Sequence, residues 1–504
     1  MKNCVILYGN TLQPTSKTAG PFRIATELRK NGYTVNCIDL TVFNKYTVLM
    51  DILRKIISKD TLWIGISSSF MSDMLGLPFS KINYTYNNID SKYETGILKY
   101  IDFIKDINPN IEFISGGSKL FQLEKYGFKV FEGYVDKEIL EFTQWCENKS
   151  NEISYSLVGS EFKDFITSTI EFNDNDIIAK DETLPIEISR GCIFRCKFCS
   201  FPMNGKTKGE WIKKDNILLD EFNSNYEKFG TTNYIFADDT YNDSVDKVKR
   251  LYDNVFSKLN FKIDFTSYLR LDLMMRFPET VDYLKESGLK SAVFGIETLN
   301  ARSAKAIGKG VDPNEQIQFA KELKQNQFKE ILIGTGLILG LPYDNIETLS
   351  EMEEFLFSDK NYFDVWDLNT LSINPKNNYR KQNYSEFDLE YEKYGYEVFE
   401  NRNELNAQKQ ILWKNYKNGL THELCSNTVE KILTRSRKSK KFKFGLFRYP
   451  YYRSLGIPHD DLLTLSQNEI FLKYDIEEIK NQKKQNYIDR LKSIYLSDDN
   501  NSTK

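Results

Sequence analysis

Three cysteines stand within eight residues, in the run Ile188-Ser189-Arg190-Gly191-Cys192-Ile193-Phe194-Arg195-Cys196-Lys197-Phe198-Cys199. Thiolates are soft ligands that suit zinc and iron-sulfur clusters. A structural zinc site closes on four ligands. No fourth cysteine lies near this trio: Cys146 and Cys425 are remote, and the two histidines of the chain are His422 and His459. On a four-iron cluster, three thiolates leave one iron without a protein ligand, open to a substrate or cofactor. The metal reading of Cys192, Cys196 and Cys199 is therefore a 4Fe-4S cluster, with zinc as its rival.

Chemistry of this kind needs a scaffold that presents the loop. Pro185 to Ser189 reads as a strand and leads directly into the trio, so the thiols sit at a strand's C-terminal end, where barrels keep their sites. Five more strands are expected at Tyr234 to Ala237, Lys262 to Tyr268, Ser291 to Gly295, Glu330 to Leu339 and Val365 to Ile373. Helical segments such as Asn216 to Phe229 and Val245 to Leu259 separate them, which predicts a partial (β/α)6 barrel of TIM type over residues 183–375. Before it, residues 1–150 alternate strands at Cys4 to Leu7, Val35 to Leu40, Leu62 to Ser67, Glu112 to Ser115 and Lys129 to Phe131 with helices at Phe22 to Asn31 and Thr95 to Ile107. That pattern predicts an α/β fold with a doubly wound, Rossmann-like parallel sheet. Residues 151–182 are polar and acidic and read as a linker; residues 376–504 lose the alternation and read as a mainly helical C-terminal region that shapes the substrate site.

With Phe198 before its last cysteine, the Cys-x3-Cys-x2-Cys run resembles the signature of radical S-adenosylmethionine (radical SAM) enzymes, and the resemblance extends over about residues 183–375. It implies a cluster whose open iron chelates S-adenosylmethionine, and reductive cleavage of that cofactor to a 5'-deoxyadenosyl radical. It also implies contacts from later strands. Asp238 and Asp239 stand where the family meets the methionine ammonium, although the common Gly-Gly-Glu is absent. Arg270 would face the cofactor's carboxylate, Glu297 would contact the cofactor, and Gly340 with Pro342 would bracket adenine. Each has a plainer reading: a helix cap before Val245 for the aspartates, an ion pair for Arg270 and Glu297, a turn for Gly340-x-Pro342.

The N-terminal pattern, with Gly116-Gly117 and Phe131-Glu132-Gly133 after strands, resembles the cobalamin-binding domain fused to one radical SAM branch. In that branch methylation of an unreactive carbon is the leading reaction. The Asp-x-His-x-x-Gly motif that ligates cobalt is missing and this domain holds no histidine, so a scaffold without cobalamin stays open. Ser67, Ser68 and Ser69 follow a strand end and are ordinary loop residues as well as candidate lining. Methylthio-transferring relatives, whose N-terminal domains supply further cluster cysteines, do not match the scattered Cys4, Cys37 and Cys146.

The balance of 68 basic and 71 acidic residues leaves a net charge of -3, which gives no general attraction to polyanions. In the tail, the basic run from Arg435 and the segment Arg448-Tyr-Pro-Tyr-Tyr-Arg453 interleave charge with aromatics; a solvated basic helix end is favoured over a nucleic-acid grip. No stretch approaches the roughly 18 apolar residues of a membrane span, and the cysteine usage suits a reducing compartment. The expectation is a cytoplasmic radical SAM enzyme acting on an unidentified substrate, with an electron donor such as flavodoxin or ferredoxin as partner and cobalamin as a further candidate cofactor. Two alternatives stand beside it: a cobalamin-independent radical SAM enzyme, and a metal-stabilised RNA-binding module without catalysis.

Overall fold

The computed structural model describes residues 2–10, 13–43, 46–67, 69–70, 99–117, 121–149, 154–159, 163–201, 203–375, 384–402, 409–437 and 448–496. Ser68 and the first turn of the expected helix Thr95 to Ile107 lie outside the described residues. Short runs of β-branched and aromatic residues, buried on both faces, build two parallel sheets. The first contains β1 (Asn3–Tyr8), β2 (Thr34–Asp39), β3 (Thr61–Ser67), β4 (Glu112–Gly116) and β5 (Lys129–Phe131), in the order β2-β1-β3-β4-β5. In β1, five of six residues are buried, as expected for a strand with helices on both sides. This is a doubly wound order, in which ligands bind beyond the strands' C-terminal ends.

The second sheet contains β6 (Leu184–Ile186), β7 (Asn233–Phe236), β8 (Asp264–Leu269), β9 (Leu289–Glu297), β10 (Leu332–Leu339) and β11 (Val365–Thr370), each hydrogen-bonded in parallel to the next in sequence. A sequential parallel sheet with helices between its strands is the expected open barrel. Its helices end on local signals. Gly230, at φ 66°, terminates Asp215–Phe229, and Ser244 caps Val245–Asn254 by accepting from the Lys247 backbone N–H. That cap is therefore Ser244 and neither Asp238 nor Asp239.

Residues 151–182 differ from the solvated linker their polarity suggests. In the described part, Phe165, Ile170 and Phe172 are buried, and Phe172 packs on Phe22 of the helix Ala19–Lys30. Ion pairs fasten the same segment to the N-terminal domain, Arg29 with Asp176 and Lys17 with Glu182. Three aromatic or aliphatic anchors among many polar residues are enough to seat a segment when both domains contribute to its surroundings.

The C-terminal region is mainly helical, with a two-stranded antiparallel hairpin of β12 (Tyr396–Arg402) and β13 (Lys409–Asn415). Two of its helices have roles that composition hides. The helix Arg448–Ser454 plugs the N-terminal end of the barrel: Tyr449, Tyr451 and Tyr452 are buried, and Arg453 pairs with Asp264 at the start of β8. The aromatic and basic character of Arg448 to Arg453 thus serves packing, neither a solvated helix end nor a nucleic-acid surface; residues 438–447, the rest of the basic run, lie outside the described residues. The last helix, Ile476–Tyr495, returns to the first sheet and sets Tyr487, Ile488 and Leu491 into the same core as Val5, Leu7 and Ile38. Tyr495 donates to Asn36 on the edge strand β2, which this helix covers. Among the described residues no helix is long and apolar enough to cross a membrane, and all seven cysteines are unpaired.

Candidate active site

The loop after β6 carries Cys192, Cys196 and Cys199 onto the wall of a cavity of ≈ 230 Å³ at the C-terminal ends of the barrel strands. Its path is set by Gly191, at φ 74°, where a Cβ would stand 2.6 Å from the Cβ of Met203, so a larger residue would be both strained and obstructed. The Cys192 backbone carbonyl receives the Gly205 N–H at 2.7 Å, which folds the loop back on itself. Phe198 lines the cavity and packs against the apolar cluster around Leu337 and Leu339. The thiols line the cavity without converging: among the described residues no group of three or more His, Cys, Asp or Glu is placed to hold a single ion. Ligands of a cluster, each on its own iron, need no such common point.

Cys192 Sγ lies 3.3 Å from the Thr240 hydroxyl, and Arg270 Nη1 donates to Cys196 Sγ at 3.8 Å. Arg270 is otherwise held by Asp272 through a two-point contact and stacks over Phe194, its guanidinium carbon 3.7 Å from the ring centroid. Arg270 thus lines the cavity while its ion pair is with Asp272, and Glu297 pairs separately with Lys309. Burial pushes the Cys199 thiol above its ordinary pKa, so a thiolate here calls for a metal bond to hold it ionised.

Of the other residues singled out, Asp239 and Glu297 line the cavity, while Asp238, Gly340 and Pro342 lie outside its lining. Asp239 has its Oδ2 buried without a hydrogen-bond partner among the described residues. Burial, reinforced by the negative charge of Asp238, pushes the Asp239 carboxyl up to about 6. Asp238 is wholly engaged beneath: it accepts from the backbone N–H groups of Ile188 and Ser189, the Ser189 hydroxyl and Lys247 Nζ. It pins the end of β6, a scaffolding position instead of the cofactor contact expected from its place in the chain.

Glu297 ends β9 with φ 72°, a left-handed backbone that is costly for a side chain of this size and characteristic of functional positions. Its carboxylate is 3.5 Å from Lys309 Nζ, and burial still raises its pKa against that cation. Gly340 packs against Trp413, and its carbonyl receives the Tyr396 hydroxyl at 2.6 Å. Pro342 contributes a carbonyl to the Ser303 hydroxyl. Both shape the turn after β10: Gly340 joins it to the C-terminal hairpin, and Pro342 joins it to the helix Ala301–Ala306.

The cavity also contains residues that sequence reading passed over: Phe194, Lys309, the Tyr268 side chain, and Asp367 and Asn369 of β11. A signal for the last two existed. In Val365–Thr370 the polar Asp367 and Asn369 alternate with the buried Trp366 and Leu368, a period of two that puts them on one face. In a barrel strand the polar face is the unusual one and points to the site.

Residues 186–356 match the family model described as Radical SAM superfamily. A stretch of 171 residues is 29% identical to an uncharacterized methyltransferase, PH0819, of Pyrococcus horikoshii, covering 33% of this chain and 35% of that protein. Another of 196 residues is 21% identical to the bacteriochlorophyllide d C-8(2)-methyltransferase of Chlorobaculum tepidum, covering 38% of this chain and 42% of that one. The chain thus spans under half the length of the curated relatives it matches. In architecture it is similar to the radical S-adenosylmethionine methyltransferase TsrM from Kitasatospora setae, solved with cobalamin and a [4Fe-4S] cluster bound: TM-score 0.57, 14% identity, 79% of this chain and 77% of that one. The thiol loop, the open barrel and the family match coincide on the same segment, and residues 186–356 of this chain are a radical SAM superfamily domain.

Proposed function

We propose that this protein is a radical SAM enzyme that modifies a substrate carbon, with cobalamin-dependent methyl transfer as the reaction. The observation that carries the reading is the cavity itself, in which three thiols on one loop face an orphaned carboxylate oxygen on Asp239 and a strained acid at Glu297. Cys192, Cys196 and Cys199 would hold a 4Fe-4S cluster. When bound there, the reduced cluster supplies one-electron cleavage of S-adenosylmethionine.

The protein's part is orientation and exclusion of water. The buried, unpartnered Asp239 Oδ2 suits an ammonium group, which donates the charge-assisted hydrogen bond this oxygen lacks. Arg270, anchored on Phe194 and Asp272, keeps a cation beside Cys196. Phe194 and Phe198, with the buried Leu269, Val293 and Phe294, form the apolar part of the wall that limits water.

The N-terminal sheet supports a cobalamin partner by its geometry. Its strand order leaves a ligand surface at the C-terminal ends, and among the described residues nothing lies within 4 Å of a Cβ placed on Gly133, just beyond β5. That open ledge suits a flat macrocycle. This domain has no histidine, so it offers no imidazole to a bound cobalamin. The methyltransferase names of the relatives support the same reaction class. Seven unpaired thiols support a reducing, cytoplasmic setting, with a small reductant such as flavodoxin or ferredoxin as electron donor.

Anaerobic reconstitution followed by assay of iron, sulfide and 5'-deoxyadenosine, with dithionite and S-adenosylmethionine added, tests the reading. A four-iron complement and deoxyadenosine formation are expected in the wild type and lost in Cys196→Ala. Zinc, or no metal, would remove the basis of the proposal. Hydroxocobalamin binding to the same preparation distinguishes the cobalamin-dependent reaction from the cobalamin-independent one.

A further inference from the structure

The residue before Gly191 and Cys192 is tied to the other domain. Arg190 is buried, and its guanidinium donates to both oxygens of Asp136, at 2.6 and 3.1 Å, and to Glu187 at 3.0 Å. It lies against two rings, 4.2 Å from the centroid of Tyr134 and 4.5 Å from that of Phe165. Its backbone carbonyl receives Lys206 Nζ at 2.7 Å, from the far side of the cysteine loop. Asp136 belongs to the segment after β5, at the end of the N-terminal sheet where doubly wound folds bind ligands, and also pairs with Arg23 at 3.0 Å. Burial would raise its pKa, but the two arginines hold it below the usual carboxylate range.

A pair of this kind is poorly explained as a stabilising device. Two charges taken out of water recover little net free energy, and apolar replacements of equal volume often do as well. What a two-point guanidinium-carboxylate contact does supply is direction, because the fork tolerates little rotation. Here the direction is given to the residue that launches the cysteine loop, and the reference point is the N-terminal domain.

We propose that Asp136 is a positioning residue for the cluster loop, acting through Arg190, so that the N-terminal domain sets how the cluster meets S-adenosylmethionine. This rests on the radical SAM reading above. The full-length protein, reconstituted anaerobically, is compared with Asp136→Asn, which keeps the shape, and Arg190→Lys, which keeps the charge but removes the fork. The readouts are iron content, the electron paramagnetic resonance spectrum of the dithionite-reduced cluster with and without S-adenosylmethionine, and the Kd for S-adenosylmethionine.

Both variants are expected to keep the wild-type iron content, to lose most of the cofactor-induced spectral change, and to bind S-adenosylmethionine about tenfold more weakly. Variants whose spectra and Kd stay within about twofold of wild type, even with a lowered Tm, would show the pair to be structural only and overturn the inference. Should Arg190→Lys give no soluble protein, the isosteric Asp136→Asn decides alone. A wild type with neither iron nor a cofactor-dependent spectrum sinks the radical SAM reading and this inference with it, which separates the two failures.

Discussion

Replacing Asp239 by asparagine is the substitution for which binding and stability should move in opposite directions. Among the described residues Asp239 Oδ2 has no partner, and burial with the adjacent Asp238 raises the carboxyl to about 6. A raised acid pKa means that the folded state binds the proton more tightly than the unfolded one. Folding stability therefore falls as pH rises from about 4 to about 6, and the ionised side chain burdens the fold at neutral pH. An amide in its place carries no such charge, so Asp239→Asn should match or exceed the wild-type Tm at pH 7.5. Binding should go the other way. A hydrogen bond between a carboxylate and an ammonium contributes about 1.5 to 3 kcal/mol, and the amide oxygen retains the smaller, uncharged part. The expected loss is about 1.5 kcal/mol, or roughly tenfold in the Kd for S-adenosylmethionine. Isothermal titration of the anaerobically reconstituted protein reads the affinity, and thermal unfolding reads the stability. A variant that binds within about twofold of wild type would refute the assignment of Asp239 to the cofactor's ammonium, whatever its Tm.

Two further outcomes concern the scaffold. Asp344, buried in the turn after β10, accepts from Ser303 and from the backbone N–H groups of Gly340 and Leu341, yet burial raises its pKa to about 6. Its ionisation opposes folding as pH rises from about 4 to about 6, and Asp344→Asn, which can keep the backbone contacts, should stabilise by about 1 to 3 kcal/mol at pH 8 and by little at pH 4. Urea unfolding at the two pH values checks the sign; equal effects at both would contradict it. Leu491→Ala, in the last helix but in the core of the N-terminal domain, should destabilise by about 2 to 5 kcal/mol. Limited proteolysis should then cut within the N-terminal domain first, and an unchanged cleavage pattern would argue against the shared core.

Much of the fold was legible because its signals are local. Strands such as Lys129–Phe131 and Val365–Thr370 contain short runs of β-branched and aromatic residues, and Cys192, Cys196 and Cys199 follow β6 closely in sequence. The neighbouring aspartates show where this legibility stops. Successive side chains of an extended segment point in opposite directions, so one of Asp238 and Asp239 must face the cavity and the other the scaffold. Period alone does not say which; the Lys247 ammonium and the N–H groups of Ile188 and Ser189, gathered by folding, draw Asp238 inward. Asp367 and Asn369 carried a usable alternation, but it acquires meaning only when β11 takes its place across the barrel from the cysteines.

By itself, then, the sequence determined the thiol loop, its position after a strand, and two successive βα series, because spacing and hydrophobic period act over a few residues. Only the tertiary structure decided that Arg448–Ser454 plugs the barrel, that Ile476–Tyr495 completes the first domain, and that Arg190 grips Asp136. Those contacts join residues tens to hundreds of positions apart. Whether a tyrosine or arginine is solvated or buried depends on which distant surface arrives to desolvate it and supply its partners.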